Sequence, residues 1–182
     1  GEIYDATVEY GAGEAVRVFE GPYDALIAQQ GEEVREHERI AARQIFVTPA
    51  GETVVDFGQN VTGYVEVTLT AHAGEAVKLS HAEVLDQKGN FYTENYRTAK
   101  SLYEYTCTEG TQTYKPNLTF YGFRYIRVDR FPGQPELQNF TAVAVYSDMK
   151  RTGYVHTSDP MLNQLADNVI WGQRGNFLDV PT

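Results

Sequence analysis

The feature that most restricts this chain is a two-residue hydrophobic period that is interrupted again and again by turn residues. In "GYVEVTLT" (residues 63–70), Val65, Val67 and Leu69 fall on one side and Glu66, Thr68 and Thr70 on the other. Such alternation describes a strand with one face in a core and the other in water. The same signature recurs in "RQIFVT", "ETVVDF", "EAVKLSHAEVL", "GFRYIRVDRF" and "LQNFTAVAVYS". Between these runs lie Pro49-Ala50-Gly51, Ala71-His72-Ala73-Gly74, residues 86–90 (Asp-Gln-Lys-Gly-Asn), Glu109-Gly110 and residues 131–135 (Phe-Pro-Gly-Gln-Pro). Six or seven short strands with turns roughly every 8–15 residues predict a mostly β protein, an antiparallel β-sandwich of jelly-roll type. A parallel sheet would need crossover helices, and none is written between the strands. The high content of tyrosine and phenylalanine, 13 and 9 residues, agrees with β structure.

The last 25 residues change period. Ser158 or Asp159 suits an N-cap, Pro160 suits the first turn, and Met161, Leu165 and Val169 recur every four residues beside Leu162 and Ala166. One C-terminal α-helix of about 12–16 residues is predicted, fading near Gly172 or Gly175 and leaving Trp171 and Phe177 unaccounted for. Its apolar stripe must pack on the sandwich or on another copy. Residues 1–42 are read as the tail of a preceding β domain plus a linker. Within them "GEIYDATVEYG" and "EAVRVFEGP" look like short strands, while residues 23–43 are charged and weakly patterned. The expected division is thus 1–42, a sandwich over 43–150, and a linker with the helix over 151–182.

Charge and cysteine content exclude several function classes. A net charge of −10 argues against nucleic acid and anionic membranes as partners. The single cysteine, Cys107, permits neither an internal disulfide nor a cysteine-based metal cluster. No run of about 18 apolar residues is present to cross a bilayer. No signal peptide is visible, and the compartment is unassigned. Neither cofactor nor metal is expected.

Several short motifs invite a chemical reading. "DFGQN" (residues 56–60) contains the DFG of protein kinases, but no glycine-rich loop, strand lysine or HRD-type loop accompanies it. The alternative is structural: a tight strand–loop–strand turn in which Gly58 takes a positive φ while Asp56 and Asn60 bond turn amides, with Gln59 between them. His81-Ala82-Glu83 matches half of a zinc-deaminase signature without its paired cysteines. Alternation places His81 and Glu83 on the face of Val77 and Leu79. Either the strand leaves the core at Ser80, which is the expectation, or a polar cluster closes one end of the sandwich and can face a neighbouring domain. In "FYTENYRTAKS", aromatic faces beside Asn95 and Arg97 suit a sugar, and Tyr92, Asn95, Arg97 and Tyr121 form a candidate carbohydrate platform. The competing reading is a tyrosine-rich strand edge. Arg124, within "FYGFRYIRV", is read as a core or interface arginine. Gly11-Ala12-Gly13 lacks the third glycine of a dinucleotide fingerprint. Asn60, Asn117 and Asn139 each begin a glycosylation sequon. Spacing reveals no catalytic set.

Taken together, "VVDFGQNVTGYVEV", "GEAVKLSHAEVLDQKGNFYTENYRTAK", "YKPNLTFYGFRYIRV" and "VYSDMKRTGYVHTSDPMLNQLADNVIWGQRGNFLDVPT" resemble the bacterial α-L-rhamnosidases of glycoside hydrolase family 78. The resemblance covers about residues 43–182. It implies a β-sandwich that precedes an (α/α)6 catalytic barrel, with the C-terminal helix as the first barrel helix. The parent enzyme would hydrolyse terminal α-L-rhamnosides with inversion. Its acids would lie on an Asp-Cys-Pro-x-Arg-x-Glu stretch that this sequence does not contain, so the chain by itself is expected to be inactive. Asp56, Gly58, Gln59, Asn60, His81, Glu83 and Arg124 are then structural or interface residues. The implied partners are the barrel and rhamnose-containing glycans. Two alternatives stay open: an autonomous carbohydrate-binding module, and a structural or adhesive β domain of an unrelated protein.

Overall fold

A computed structural model describes residues 1–9 and 11–181. The strands are β1 (Glu2–Asp5), β2 (Val34–Ala41), β3 (Gln44–Val47), β4 (Thr53–Ala71), β5 (Ala76–Ala82), β6 (Leu102–Thr106), β7 (Gly110–Tyr114), β8 (Tyr121–Arg130) and β9 (Phe140–Ser147). Helix α1 (Pro160–Gly175) follows, and a short hairpin, β10 (Phe177–Leu178) and β11 (Val180–Pro181), comes after it. The protein is mostly β with one C-terminal α-helix, as the alternation predicts.

The organising element is β4, a single strand of 19 residues. Its first half pairs with β3 and β8, and its second half with β9 and β7. Both layers of the sandwich therefore belong to one curled sheet, ordered β1-β6-β5-β8-β4-β9-β2, with β3 and β7 also on β4. Val55, Phe57, Val61, Val65, Val67 and Leu69 point inward from β4 and meet Val77, Leu79, Tyr103, Phe123, Ile126 and Phe140 in one core. Burying a valine such as Val65 or Val67 completely stabilises the fold by about 1.5–3 kcal/mol. At Gly63 the two strands come so close that a Cβ would lie 1.9 Å from the Val143 carbonyl oxygen.

Several elements differ from the sequence expectation. "DFGQN" is not a turn between two strands but a bulge inside one. The β4–β8 register runs from Asp56↔Tyr125 directly to Val61↔Phe123, so β4 carries extra residues that β8 does not match. Because β8 continues past the irregularity and pairs on both sides, the strand is bent rather than reversed. The strand β5 does not leave the core at Ser80: Ser80, His81 and Ala82 are all buried. "EAVRVFEGP" forms no strand and leaves Val16, Val18 and Phe19 exposed, since no strand among the described residues pairs with it. The charged stretch before Arg43 contains β2, paired with β9 through a register shift between Glu36 and Arg39 that breaks the visible alternation. Finally, β1 joins β6 in parallel, the one departure from antiparallel pairing among the described residues of the main sheet.

The helix matches its prediction closely. Asp159 caps it, its side chain accepting from the Met161 amide at 2.8 Å, and Pro160 opens it. Its apolar stripe does not turn inward, however. Met161, Leu162, Leu165 and Val169 remain between 52% and 78% exposed. Contact with the sandwich is made instead by the C-terminal turn, through Trp171, Arg174 and Gly175.

Candidate functional site

The bulge, strand β5 and the end of α1 meet at one end of the sandwich. Gly58 holds φ at +75°, which opens the bulge and turns the following side chains outward. The carboxylate of Asp56 closes it from within. Its Oδ1 accepts from the Gly58 amide at 2.6 Å, and Arg124 donates to both oxygens, Nε to Oδ1 and Nη2 to Oδ2, each at 2.8 Å. Burial alone would raise the Asp56 pKa, but the paired Arg124, the Gly58 N–H and the charge of Arg43 outweigh it and hold the group below its usual range. Substituting Asp56→Ala is expected to cost about 2 kcal/mol, because the partly buried Arg124 loses both acceptors and the bulge loses its anchor. A urea midpoint equal to that of the unmodified protein would show that the bulge does not depend on this pair.

Beyond the anchor, the bulge presents amides. Gln59 Nε2 donates to the Asn60 carbonyl at 2.9 Å, and Asn60 Nδ2 donates to Glu83 Oε1 at 3.1 Å. Glu83 lies over Gly122, where a Cβ would come within 3.2 Å of Oε1, so a glycine there leaves room for the carboxylate. The Gly122 carbonyl in turn accepts from Tyr96 at 2.9 Å, which ties down the loop before β6.

Opposite stands the last turn of α1. Thr62 donates its hydroxyl to the Gly175 carbonyl at 2.8 Å, joining β4 to the helix C-terminus. Arg174 bonds Glu38 on β2 at 3.1 Å and lies over the rings of Tyr146 (5.2 Å) and Trp171 (4.8 Å). Tyr146 is stacked on His37 at 3.8 Å and donates to Glu38. Between the two walls runs a cleft of about 330 Å³, bordered by Gln59, Asn60, Thr62 and Glu83 on one side and Asn168, Trp171 and Asn176 on the other.

The sequence candidates divide. Gln59, Asn60 and Glu83 meet at the cleft, with Asp56, Gly58 and Arg124 directly behind them. His81 does not join them: it is fully buried, with its ring stacked on Tyr121 at 4.0 Å and edge-on to Phe123 at 5.1 Å. Its Nδ1 meets the Ser101 carbonyl at 3.2 Å and its Nε2 has no hydrogen-bond partner among the described residues. Burial pushes its pKa down to about 3.

The four platform residues are also dispersed. Tyr121 is buried, its hydroxyl donating to the Leu102 carbonyl and its face covered by His81, so no sugar can stack on it. Tyr92 borders a separate depression beside Val84, Leu85 and residues 86–88. Asn95 lies in the short 3-10 turn Glu94–Tyr96, and Arg97 follows it with φ at +55°, exposed. Thr62, Asn168 and Asn176 were missed by sequence reasoning. Trp171 was noticed without a role, as an aromatic outside the helix stripe. Among the described residues no three His, Cys, Asp or Glu converge to hold a metal ion.

Comparison with known proteins gives two family matches. Residues 47–146 match the bacterial alpha-L-rhamnosidase concanavalin-like domain, and residues 150–182 match the bacterial alpha-L-rhamnosidase 6 hairpin glycosidase domain. An alpha-L-rhamnosidase of Streptomyces avermitilis is 41% identical over 160 residues, which is 87% of this chain and 16% of that protein. The solved structure of the Streptomyces avermitilis enzyme complexed with L-rhamnose superposes with a TM-score of 0.82 at 42% identity, covering 86% of this chain and 15% of that one. The native enzyme of Aspergillus terreus gives a TM-score of 0.84 at 35% identity, covering 90% and 19%. The chain thus spans about a sixth of the length of these relatives.

Proposed function

Because the chain belongs to the bacterial α-L-rhamnosidase family, we propose that it is the non-catalytic β-sandwich of such an enzyme and that it seats the first helix of the glycosidase domain. On this reading residues 1–42 lead in from a preceding β domain, residues 43–150 form the sandwich, and residues 151–182 begin the catalytic unit. The observation that carries the reading is the seam at the end of α1. Thr62 to Gly175 and Arg174 to Glu38 fix the helix by its last turn, on β4 and β2 respectively. The stripe of Met161, Leu162, Leu165 and Val169 faces away, as a helix would if its other face packed on further helices.

The acids near the seam also speak for bracing rather than turnover. Inverting hydrolysis needs one carboxylic acid to protonate the leaving oxygen and a second carboxylate to activate water across the sugar. Asp56 is held ionised by Arg124 and is enclosed behind the bulge. Glu83 is engaged by Asn60. In the whole enzyme, hydrolysis of terminal α-L-rhamnosides with inversion would be performed by carboxylates of the barrel, acting on rhamnose-containing glycans. Purified chain incubated with an aryl α-L-rhamnoside is therefore expected to release no nitrophenol above a no-protein control. Release that disappears in Glu83→Gln would overturn the proposal.

A further inference from the structure

The cleft at the seam has a composition that bracing does not require. We propose that it binds a single neutral sugar in its pyranose form, held by Gln59, Asn60, Glu83 and Asn168 against Trp171. This does not depend on the bracing role: a seam can brace with its cleft empty.

Size and position favour a small ligand. A volume of about 330 Å³ lies at the lower end of small-molecule sites, roughly 300–1,000 Å³, and such sites concentrate where two structural units meet. The chemistry narrows the class. Glu83 is the one charged side chain among the described residues bordering the cleft, and Arg174, which lies over the Trp171 ring, is already paired with Glu38, so an anionic ligand finds no unpaired counter-charge there. The remaining polar groups are mainly amides, each offering both a donor and an acceptor, which matches hydroxyls that need both. Trp171 supplies an apolar wall of the kind that accommodates the C–H face of a sugar ring.

The amides are also pre-oriented. Each is tied through one end and presents the other. Gln59 gives its Nε2 to the Asn60 carbonyl, Asn60 gives its Nδ2 to Glu83, and Asn168 accepts at Oδ1 from Gln164 at 2.9 Å. Among the described residues, Gln59 Oε1, Asn60 Oδ1 and Asn168 Nδ2 have no protein partner, two acceptors and one donor whose positions the structure has already set. Because Thr62 fixes the Gly175 end of the helix on β4, the two walls are held in register before a ligand arrives, which lowers the ordering cost of binding.

Trp171 is the only tryptophan of the chain, so its fluorescence reports on the cleft directly. Titration with L-rhamnose, D-glucose and glycerol is expected to give a saturable change in emission at millimolar concentration for at least one of the two sugars. Glycerol, too short to span the walls, should give only a linear drift. Asn60→Ala and Asn168→Ala should each weaken the sugar response by roughly tenfold, the effect of one lost hydrogen bond. Asn168 is an exposed helix position, so its replacement leaves folding intact and keeps the test decisive. Tyr92→Ala, in the separate depression, should bind normally. The proposal is overturned if no sugar saturates up to about 100 mM, if glycerol binds equally well, or if the two asparagine variants respond as the unmodified chain does. None of these results would touch the non-catalytic reading, which is tested by hydrolysis.

Discussion

Replacing Gly63 with alanine is expected to destabilise the protein by more than about 3 kcal/mol, enough to remove most of the stability of a domain this size. The added methyl would lie 1.9 Å from the Val143 carbonyl oxygen and 3.0 Å from its carbonyl carbon. Both belong to the backbone of β9, which is hydrogen-bonded to β4 at this level, with Gly63 opposite Ala144 and Tyr64 opposite Val143. No side chain can swing away to relieve the contact, so the two strands must separate where the curled sheet passes from one layer to the other. Gly74→Ala is the control. That residue has φ at +87° with open space around it, so alanine there incurs only the backbone cost of about 1 kcal/mol. Gly63 itself holds φ at +156°, so alanine there adds a backbone cost to the crowding, and urea denaturation of both variants shows how far the loss exceeds a backbone cost alone. Equal midpoints would show that β4 and β9 can give way, and the account of the curled sheet would be wrong.

The second large effect is acid sensitivity through His81. The ring is fully buried against Tyr121, Phe123 and Tyr103. The phenols of Tyr103 and Tyr121 pack on it, the positive charge of the N-terminus disfavours an imidazolium further, and no carboxylate among the described residues bonds it. With its pKa lowered from 6.5 to about 3, the folded protein keeps His81 neutral while the unfolded chain takes up a proton. Stability is therefore undiminished by this group above pH 6.5 and falls as the pH drops from there towards 3. The loss amounts to about 2 kcal/mol between pH 7.5 and 5, and to about 5 kcal/mol at the acid limit. The carboxylates whose pKa is lowered, such as Asp56 and Glu52, add their own loss only at lower pH, as it falls through the ordinary carboxylate range and below. The interval from pH 6.5 to 5 thus isolates the histidine. His81→Phe preserves an aromatic ring for Tyr121, and the Ser101 carbonyl keeps its bond from the residue-81 amide at 2.8 Å. That variant should lose the pH dependence in this interval. An unchanged slope would place the acid sensitivity elsewhere.

Much of this architecture is legible in the residue order, and the reason is locality. The alternation through Val65, Val67 and Leu69 identifies a strand because side chains two apart share a face. The run from Asp159 through Val169 identifies a helix with its cap because every signal lies within a few turns. Family resemblance was carried by the same local runs. Where pairing partners decide, the order of residues misleads. "DFGQN" has the composition of a turn, and only the presence of β8 along both of its flanks makes it a bulge. His81 sits in a polar run that looks solvent-bound, and it is Tyr103, Tyr121 and Phe123, from strands further along the chain, that enclose it. The same burial removed Tyr121 from the candidate platform.

By itself, then, the amino-acid sequence determined the class of fold, the helix and its cap, and the family. Periodicity, capping and motif spacing act over short stretches and need no distant partner to be read. The tertiary structure alone decided that one strand serves both layers, that α1 is held by its last turn with its stripe outward, and that Gln59, Asn60 and Glu83 face Asn168 and Trp171. These placements depend on contacts between residues far apart in the chain, 113 positions for Thr62 and Gly175. Such contacts are selected by the packing of the whole core, which no local pattern encodes.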